Sequence, residues 1–322
     1  QAMAPDARVG AVVKANAYGL GAMQVLPVLA DAGCRTFYVA HTAEGREARE
    51  ALAGRPAEIF VFNGFWPTDL AALREAELFP VINDLHQLHQ LRELAPDLPC
   101  AIHFDTGMNR LGLGPNATQT LIDNRDWFAG LDVRQMLSHL ACSHEAAHPL
   151  NARQLERFSR IREAFPDIPA SFANSGGTMR GPRYHFDILR PGLALYGGPP
   201  SDDLANPFEA AVRVEAPVLQ VRTIAAGDCA GYGAIFTADH EMRIATVATG
   251  YADGLLRACG DGGFGRIAGT AVPIIGRISM DLTTLDLSNV TDPVEPGDWV
   301  SFLGEDVGAM AETAHTITYE FL

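Results

Sequence analysis

The chain has 322 residues, 48% hydrophobic and 20% charged, which fits a globular protein with one α/β barrel and a smaller companion. Its 39 acidic against 24 basic residues give a net charge of −15, which excludes a nucleic-acid partner, because phosphate backbones call for concentrated Lys and Arg. No stretch is long and apolar enough for a membrane partner, no signal peptide is visible, and five scattered cysteines without a CxxC pair suggest neither a disulfide framework nor a metal site. A reduced, cytoplasmic setting is therefore expected.

From residue 1 to about 200, short apolar runs alternate with amphipathic stretches. The runs are Ala11–Val13, Phe37–Ala40, Ile59–Phe62, Phe79–Ile82, Cys100–Phe104, Gln135–Leu140, Ala170–Ala173 and Leu193–Tyr196. Between them, "AMQVLPVLADAG", "AEGREAREALAG", "TDLAALREAEL", "DLHQLHQLRELA", "NATQTLIDNRDWFAG" and "NARQLERFSRIREAF" carry apolar residues at helical spacing. Eight strands with helical returns predict an eight-stranded parallel β/α barrel of TIM type. The seventh return, "SGGTMRGPRYHFDI", is too short and too rich in Gly and Pro for a full helix.

After the linker "GGPPSDDLANP" the pattern changes to β-rich runs: "AVRVEAPVLQVRTI", "MRIATVATGYA", "RIAGTAVPIIGRI", "DLTTLDLS" and "DWVSFLG". A mostly β C-terminal domain is expected over 208–322, following a barrel domain over 1–207.

Polar residues stand where the barrel runs stop: Lys14, His41, Asn63, Asn83, Asp84, Asp105, His139, Asn174 and Ser175. In a barrel of this type the C-terminal strand ends converge on the active site. A lysine there is either a solvated surface charge or, if partly deprotonated, a covalent anchor for a carbonyl cofactor. Tyr18 lies four residues on, with Gly19 and Gly21 allowing close backbone approach. "NSGG" (174–177) and "RPGLALYG" (190–197) follow the seventh run and span the eighth, where barrels often bind phosphate; ordinary turns are the plainer alternative. Arg110 and Arg190 stand beside glycines near strand ends, and an arginine facing a pyridine nitrogen does not give it a full proton. Tyr232 sits between two glycines in "GYGAIFTA", either as a turn residue or as an acid–base group.

Taken together, "AVVKANAYGLG", "DTGMNRLG", "SHLA", "NSGG", "RPGLALYG", "GYGAIFTA", "GYADGLLR" and "GRISMDLTTLDLS" resemble the alanine racemases, in that family's order and over nearly the whole chain. The resemblance implies a pyridoxal 5'-phosphate enzyme interconverting L- and D-alanine to supply D-alanine for peptidoglycan. It implies that Lys14 anchors the cofactor and serves one face of the substrate. Tyr232, from the other subunit of a homodimer, would serve the opposite face. Arg190 would face the ring nitrogen, with His139 between Arg190 and the tyrosine. Tyr18, Ser175, Gly192 and Leu193 would hold the phosphate. Arg110 would lie near the phenolic oxygen and the substrate carboxylate. Tyr251 and Met280, with Asp281 beside them, would come from the second subunit to the entrance and carboxylate pocket.

Three departures stand out. Where many family members have a lysine, often carbamylated, two residues before the Asp of "DTGM", this chain has His103, so an anion, a water or His103 itself is expected to face Arg110. Ser279 replaces a common cysteine before Met280. The chain opens inside the first strand region and stops at "ITYEFL", so segments are expected to be missing at both ends. Rival readings are a broad-specificity amino-acid racemase, a barrel-type decarboxylase, and a non-catalytic pyridoxal-phosphate carrier. The decarboxylase would place a carboxylate on the ring nitrogen and would usually carry a catalytic cysteine; the carrier lacks a β domain.

Overall fold

In the computed structural model, which describes residues 3–321, seven of the eight apolar runs of the first two hundred residues become parallel strands, and two short strands that the runs do not announce, the first and the last, join them. They are β1 (Arg8–Val9), β2 (Ala11–Val12), β3 (Thr36–Val39), β4 (Glu58–Val61), β5 (Leu78–Ile82), β6 (Cys100–His103), β7 (Val133–Leu137), β8 (Ala170–Ser171) and β9 (Ile188–Leu189). Seven of them, β2 to β8, pair in sequence order, and β9 pairs in parallel with β1. The β9 segment bonds on both sides. Arg8 N, Gly10 N and Val12 N donate to Asp187 O, Leu189 O and Pro191 O at 2.9 Å, while Asp187 N and Arg190 N donate to Ala170 O and Ala173 O at 3.0 and 2.8 Å. The barrel thereby closes, as the strand-and-helix alternation predicts.

The eighth run needs correction. Leu193–Tyr196 is a 3-10 turn rather than a strand, and the closing strand lies earlier, at Ile188–Leu189, starting on the last residue of the stretch read as a return. The cause is local. Pro191 has no N–H to give a ladder, and the N–H groups of Gly192 and Ala194 both donate to Ser175 Oγ, at 3.0 and 3.2 Å.

The six expected helices form at Ala22–Asp31, Thr42–Leu52, Leu70–Glu75, Leu85–Leu94, Pro115–Asp123 and Pro149–Ala164. Asp84 caps the fourth by accepting from Gln87 N at 2.8 Å. The seventh return holds only Ser175–Met179 and a turn at Pro182–Tyr184. Inside the barrel, Val12, Tyr38, Phe60, Val81, Ala101 and Leu137 form one cluster, with Tyr38 stacked on Phe60 at 5.5 Å. That packed interior leaves the strand ends as the place for chemistry.

The chain divides into two units: residues 1–195 with 200–206, and residues 196–199 with 207–322. The second unit contains β10 (Val214–Ile224), the small hairpin β11 (Cys229–Ala230) and β12 (Phe236–Thr237), β13 (Met242–Val247), β14 (Phe264–Ile267), β15 (Thr270–Pro273), β16 (Thr283–Asp286) and β17 (Trp299–Leu303). Six of these form one antiparallel sheet in the order β15-β14-β17-β10-β13-β16. Val218, Ala245, Val272, Leu285 and Val300 are buried in its core with Met310. Two helices that the β-rich pattern does not announce, Val307–Thr313 and Thr318–Phe321, end the described chain. Among the described residues no helix is long and apolar enough to cross a membrane.

Candidate active site

Lys14 directly follows Val13, where the strand that starts the barrel stops. The four residues after it have φ values of 53, 54, 55 and 60° at Ala15, Asn16, Ala17 and Tyr18. Ala17 N donates to Val13 O at 2.9 Å and Gly19 N to Ala15 O at 2.8 Å, so the segment is one turn of left-handed helix. For residues with a Cβ this hand costs roughly 1–2 kcal/mol each, and it persists only because the surroundings fix it. One fixing contact is Asn16 Oδ1, which accepts from Ala22 N at 2.7 Å. The turn starts with Lys14 and ends with Tyr18. Lys14 is half-buried, and among the described residues its ammonium group makes no hydrogen bond or ion pair. Burial, and then the Arg110 charge, lower its pKa, against an opposing pull from Glu44.

The Tyr18 hydroxyl lies against Gly192; a Cβ at Gly192 would collide with it. Ser175 is buried, and its Oγ accepts from Gly192 N and Ala194 N. Its loop is held by Asn174, whose Oδ1 accepts from Gly177 N at 2.9 Å. Gly176 has no room for a side chain, because a Cβ would sit 2.6 Å from Ser143 Oγ. Tyr18, Ser175 and Gly192 thus come together as expected, and buried Leu193 follows in the same turn. Two hydroxyls beside a glycine that admits no side chain suit a phosphate.

Arg190 is only 2% exposed. It donates to Ser171 Oγ and Ser138 O, both at 2.5 Å, and its guanidinium stands over the Tyr38 ring at 6.0 Å. Among the described residues no carboxylate pairs with it. Burial pulls its pKa down to about 10, with Tyr38 pulling the other way, which leaves it a cation at neutral pH held by neutral acceptors. Tyr38 donates to Gln135 Oε1 at 2.9 Å, and burial pushes its own pKa up to about 12. Among the described residues, Gln135 Nε2 is buried without a partner. Sequence reasoning missed this support. The only available sign was a Tyr and a Gln inside apolar strands.

His139 is half-buried. Its pKa lies well below the ordinary imidazole value, through burial first and then through Arg190, Arg110, His103 and Lys14. Those four influences place the five groups in one electropositive cluster at the strand ends. His103 Nδ1 lies 2.8 Å from Asn83 Oδ1. Both Nδ2 hydrogens of Asn83 are used, on Phe62 O and Val81 O at 2.9 Å, so Asn83 Oδ1 must accept and His103 Nδ1 carries the proton. Burial, aided by Arg190 and Arg110 and opposed by Asp105, lowers the His103 pKa to about 3. His103 is therefore neutral and supplies no negative charge. Arg110 is exposed, without an ion pair among the described residues, on a loop braced by Asp105. That carboxylate accepts from Gly107 N, Met108 N and Asn109 N at 2.8, 2.9 and 2.9 Å.

The remaining expected residues lie in the second unit. Tyr232 is 71% exposed, between Gly231 and Gly233 at φ 74 and 76°. The space a Cβ of Gly233 would take lies 3.1 Å from Arg277 Nη1, so a cation adjoins the Tyr232 loop. Tyr251 and Met280 are brought side by side: Tyr251 N donates to Ser279 O at 3.1 Å and Ala252 N to Met280 O at 2.8 Å. Tyr251 and Met280 are exposed too, as is Asp281.

A broad groove at the opposite end of the barrel, lined by Arg8, Cys34, Arg35 and Glu58 among others, lacks such a cluster. Burial pushes the Cys34 thiol pKa up, away from nucleophilic use. The strand-end cluster combines a lysine of lowered pKa, a hydroxyl-lined turn at Gly192 and a buried guanidinium. Those features fit pyridoxal 5'-phosphate: an amine for its carbonyl, polar groups for its phosphate, and a permanent cation for its ring nitrogen.

Comparison with known proteins agrees with that fit. The family profile "Alanine racemase, N-terminal domain" matches residues 1–200, and "Alanine racemase, C-terminal domain" matches residues 211–322. The chain is 43% identical to a catabolic alanine racemase of Agrobacterium fabrum, over 99% of this chain and 84% of that protein. It is 42% identical to an alanine racemase of Rhodospirillum rubrum, over 99% and 87%. In structure it is similar to alanine racemase of Bartonella henselae with covalently bound pyridoxal phosphate, with a TM-score of 0.92 and 36% identity, over 99% of this chain and 90% of that one. The biosynthetic alanine racemase of Pseudomonas aeruginosa gives a TM-score of 0.90 at 34% identity, with the same coverage.

Proposed function

The chain belongs to the alanine racemase family, and we propose on that premise that Lys14 and Tyr232 are the two bases by which it interconverts L-alanine and D-alanine with pyridoxal 5'-phosphate. When bound, the cofactor supplies an electron sink that makes the substrate Cα proton acidic. Lys14 anchors it and exchanges the Cα proton on one face. Burial and Arg110 favour the neutral amine this role needs. Tyr232 exchanges the proton on the other face; inversion needs a donor opposite the acceptor. Tyr18, Ser175, Gly192 and Leu193 hold the phosphate. Arg190 would face the ring nitrogen, and Arg110, with Tyr251 and Met280 of the other copy, would orient the phenolic oxygen and the substrate carboxylate. His139, kept neutral, stands between Arg190 and Tyr232 and adds no charge.

The observation that carries this reading is Arg190, a buried guanidinium with no carboxylate partner among the described residues. A barrel-type decarboxylase wants a carboxylic acid there, to protonate the ring. A guanidinium keeps its proton and limits charge delocalisation into the ring, which suits proton return over side reactions. The exposure of Tyr232, Tyr251 and Met280 supports a homodimer in which each copy completes the other's site. Five free thiols, at Cys34, Cys100, Cys142, Cys229 and Cys259, support a cytoplasmic setting, where D-alanine would feed peptidoglycan. The residues to 207 would bind the cofactor, and those from 208 would serve the partner's site.

The test is to incubate the purified protein with L-alanine and follow D-alanine by chiral chromatography. Appearance of D-alanine to near equality with the L form is expected. Carbon dioxide release without D-alanine would overturn the reading.

A further inference from the structure

The left-handed turn after Lys14 requires an anchor, and beyond Asn16 the structure supplies one from another strand end. Glu44 lies in the first turn of helix Thr42–Leu52 and is largely buried, with 14% of its side chain exposed. Its Oε1 accepts from Ala15 N at 2.7 Å, and its Oε2 accepts from Ala40 N at 2.7 Å. Ala40 directly follows the strand next to the one that leads into Lys14, and Ala15 is the first left-handed residue. One carboxylate therefore ties two neighbouring strand ends together through two short, charge-assisted bonds.

We propose that Glu44 is the positioning residue of Lys14, fixing the left-handed turn that aims its amine and supplying a negative charge beside it. This rests on Lys14 being the cofactor anchor, and it deepens that reading. The charged groups around Lys14 are Arg110, which disfavours its ammonium form, and Glu44, which favours it. The neighbouring His139 and His103 rings are neutral. His41, half-exposed, approaches Glu44 Oε1 at 3.7 Å from the helix start. Glu44 thus fixes the direction of the amine and raises the pH at which it becomes nucleophilic, against the larger opposite pulls of burial and Arg110. A glutamine at this position would keep an acceptor for one amide only, turn an NH₂ group toward the other, and carry no charge. An aspartate would keep the charge but fall short of spanning both amides.

The experiment uses the full chain with Glu44→Gln and Glu44→Asp. Loss of a charge-assisted hydrogen bond costs about 1.5–3 kcal/mol, or roughly a 10- to 100-fold change. In Glu44→Gln, amide exchange over residues 15–18 of the holoenzyme should rise by about that factor. kcat should fall with little change in KM for alanine. The rate at which the stripped full chain captures added pyridoxal phosphate should show its pH midpoint moved downward. In Glu44→Asp the exchange should rise while the pH midpoint stays near that of the parent. A Glu44→Gln protein with lower thermal stability but unchanged exchange and pH midpoint would overturn the proposal, leaving Glu44 a purely structural cap. Failure of Lys14→Ala to abolish cofactor capture would instead refute the anchor itself.

Discussion

The two units hold their site residues in opposite ways. In the barrel unit several polar groups of the cluster are already engaged: Arg190 with Ser171 and Ser138, His103 with Asn83, Ser175 with Gly192 and Ala194. In the β unit, Tyr232 is 71% exposed and Met280 58%, large side chains at a surface that no residue of their own unit covers. The barrel site is preorganised, and its cost is carried by a packed barrel and a strained turn. The β-unit residues are presented outward, as a surface meant for another site would be.

The largest expected effect separates the two units by cofactor retention. Lys14→Ala should lose racemisation by more than the about 10⁴-fold upper end for one acid–base group, because anchor and base go together, and its yellow absorbance should vanish. Tyr232→Phe should lose about 10²- to 10⁴-fold in kcat while keeping that absorbance, since the exposed tyrosine holds nothing in place. If both variants lose the colour, or neither does, the contrast fails.

A smaller effect sharpens the barrel side. At Gly192→Ala the new Cβ collides with the Tyr18 hydroxyl. Overpacking of this kind costs about 1–3 kcal/mol. Cofactor affinity in equilibrium dialysis should weaken about 5- to 150-fold, with little change in oligomeric state. An unchanged affinity would remove Gly192 and Tyr18 from the phosphate site.

The smallest effect concerns pH. His103 has its pKa lowered to about 3 by burial, Arg190 and Arg110, whereas an unfolded histidine titrates near 6.5. Between those values the unfolded chain binds more protons than the folded one, so stability falls as pH drops from about 6.5 toward 3. His139 acts in the same direction. In His103→Gln the urea midpoint should fall less between pH 6.5 and 4.5 than in the parent. An equally steep fall would show that His103 titrates normally.

Sequence and structure part company where tertiary contacts override local pattern. The parallel barrel and its helices are legible because a strand buried on both faces reads as a continuous apolar run and a covering helix at a period of 3.6. The closing strand at Ile188–Leu189 is not, because two residues just before Pro191 look like loop, and only the hydrogen bonds that Ser175 accepts from Gly192 and Ala194 show why the later run cannot pair. Lys14, Tyr18, Ser175, Arg190 and Gly192 could be picked out because chemistry needs their types near glycines at strand ends. Tyr38, Gln135 and Glu44 could not, since each acts through another residue and none has a local signature. The neutrality of His103 depends on both Asn83 hydrogens being spent elsewhere, a condition no local sequence pattern encodes.

The central claim, that an exposed tyrosine of one copy completes the barrel site of another, is tested most directly by mixing two inactive proteins. Lys14→Ala and Tyr232→Phe are unfolded together, refolded together, and assayed for D-alanine. Random pairing would make half the dimers mixed, and each mixed dimer would have one intact site and one doubly altered site. The account predicts recovery of about a quarter of the parent activity, as closed two-fold symmetry requires. Activity no greater than the sum of the two variants, with mixed dimers demonstrably present, would contradict it.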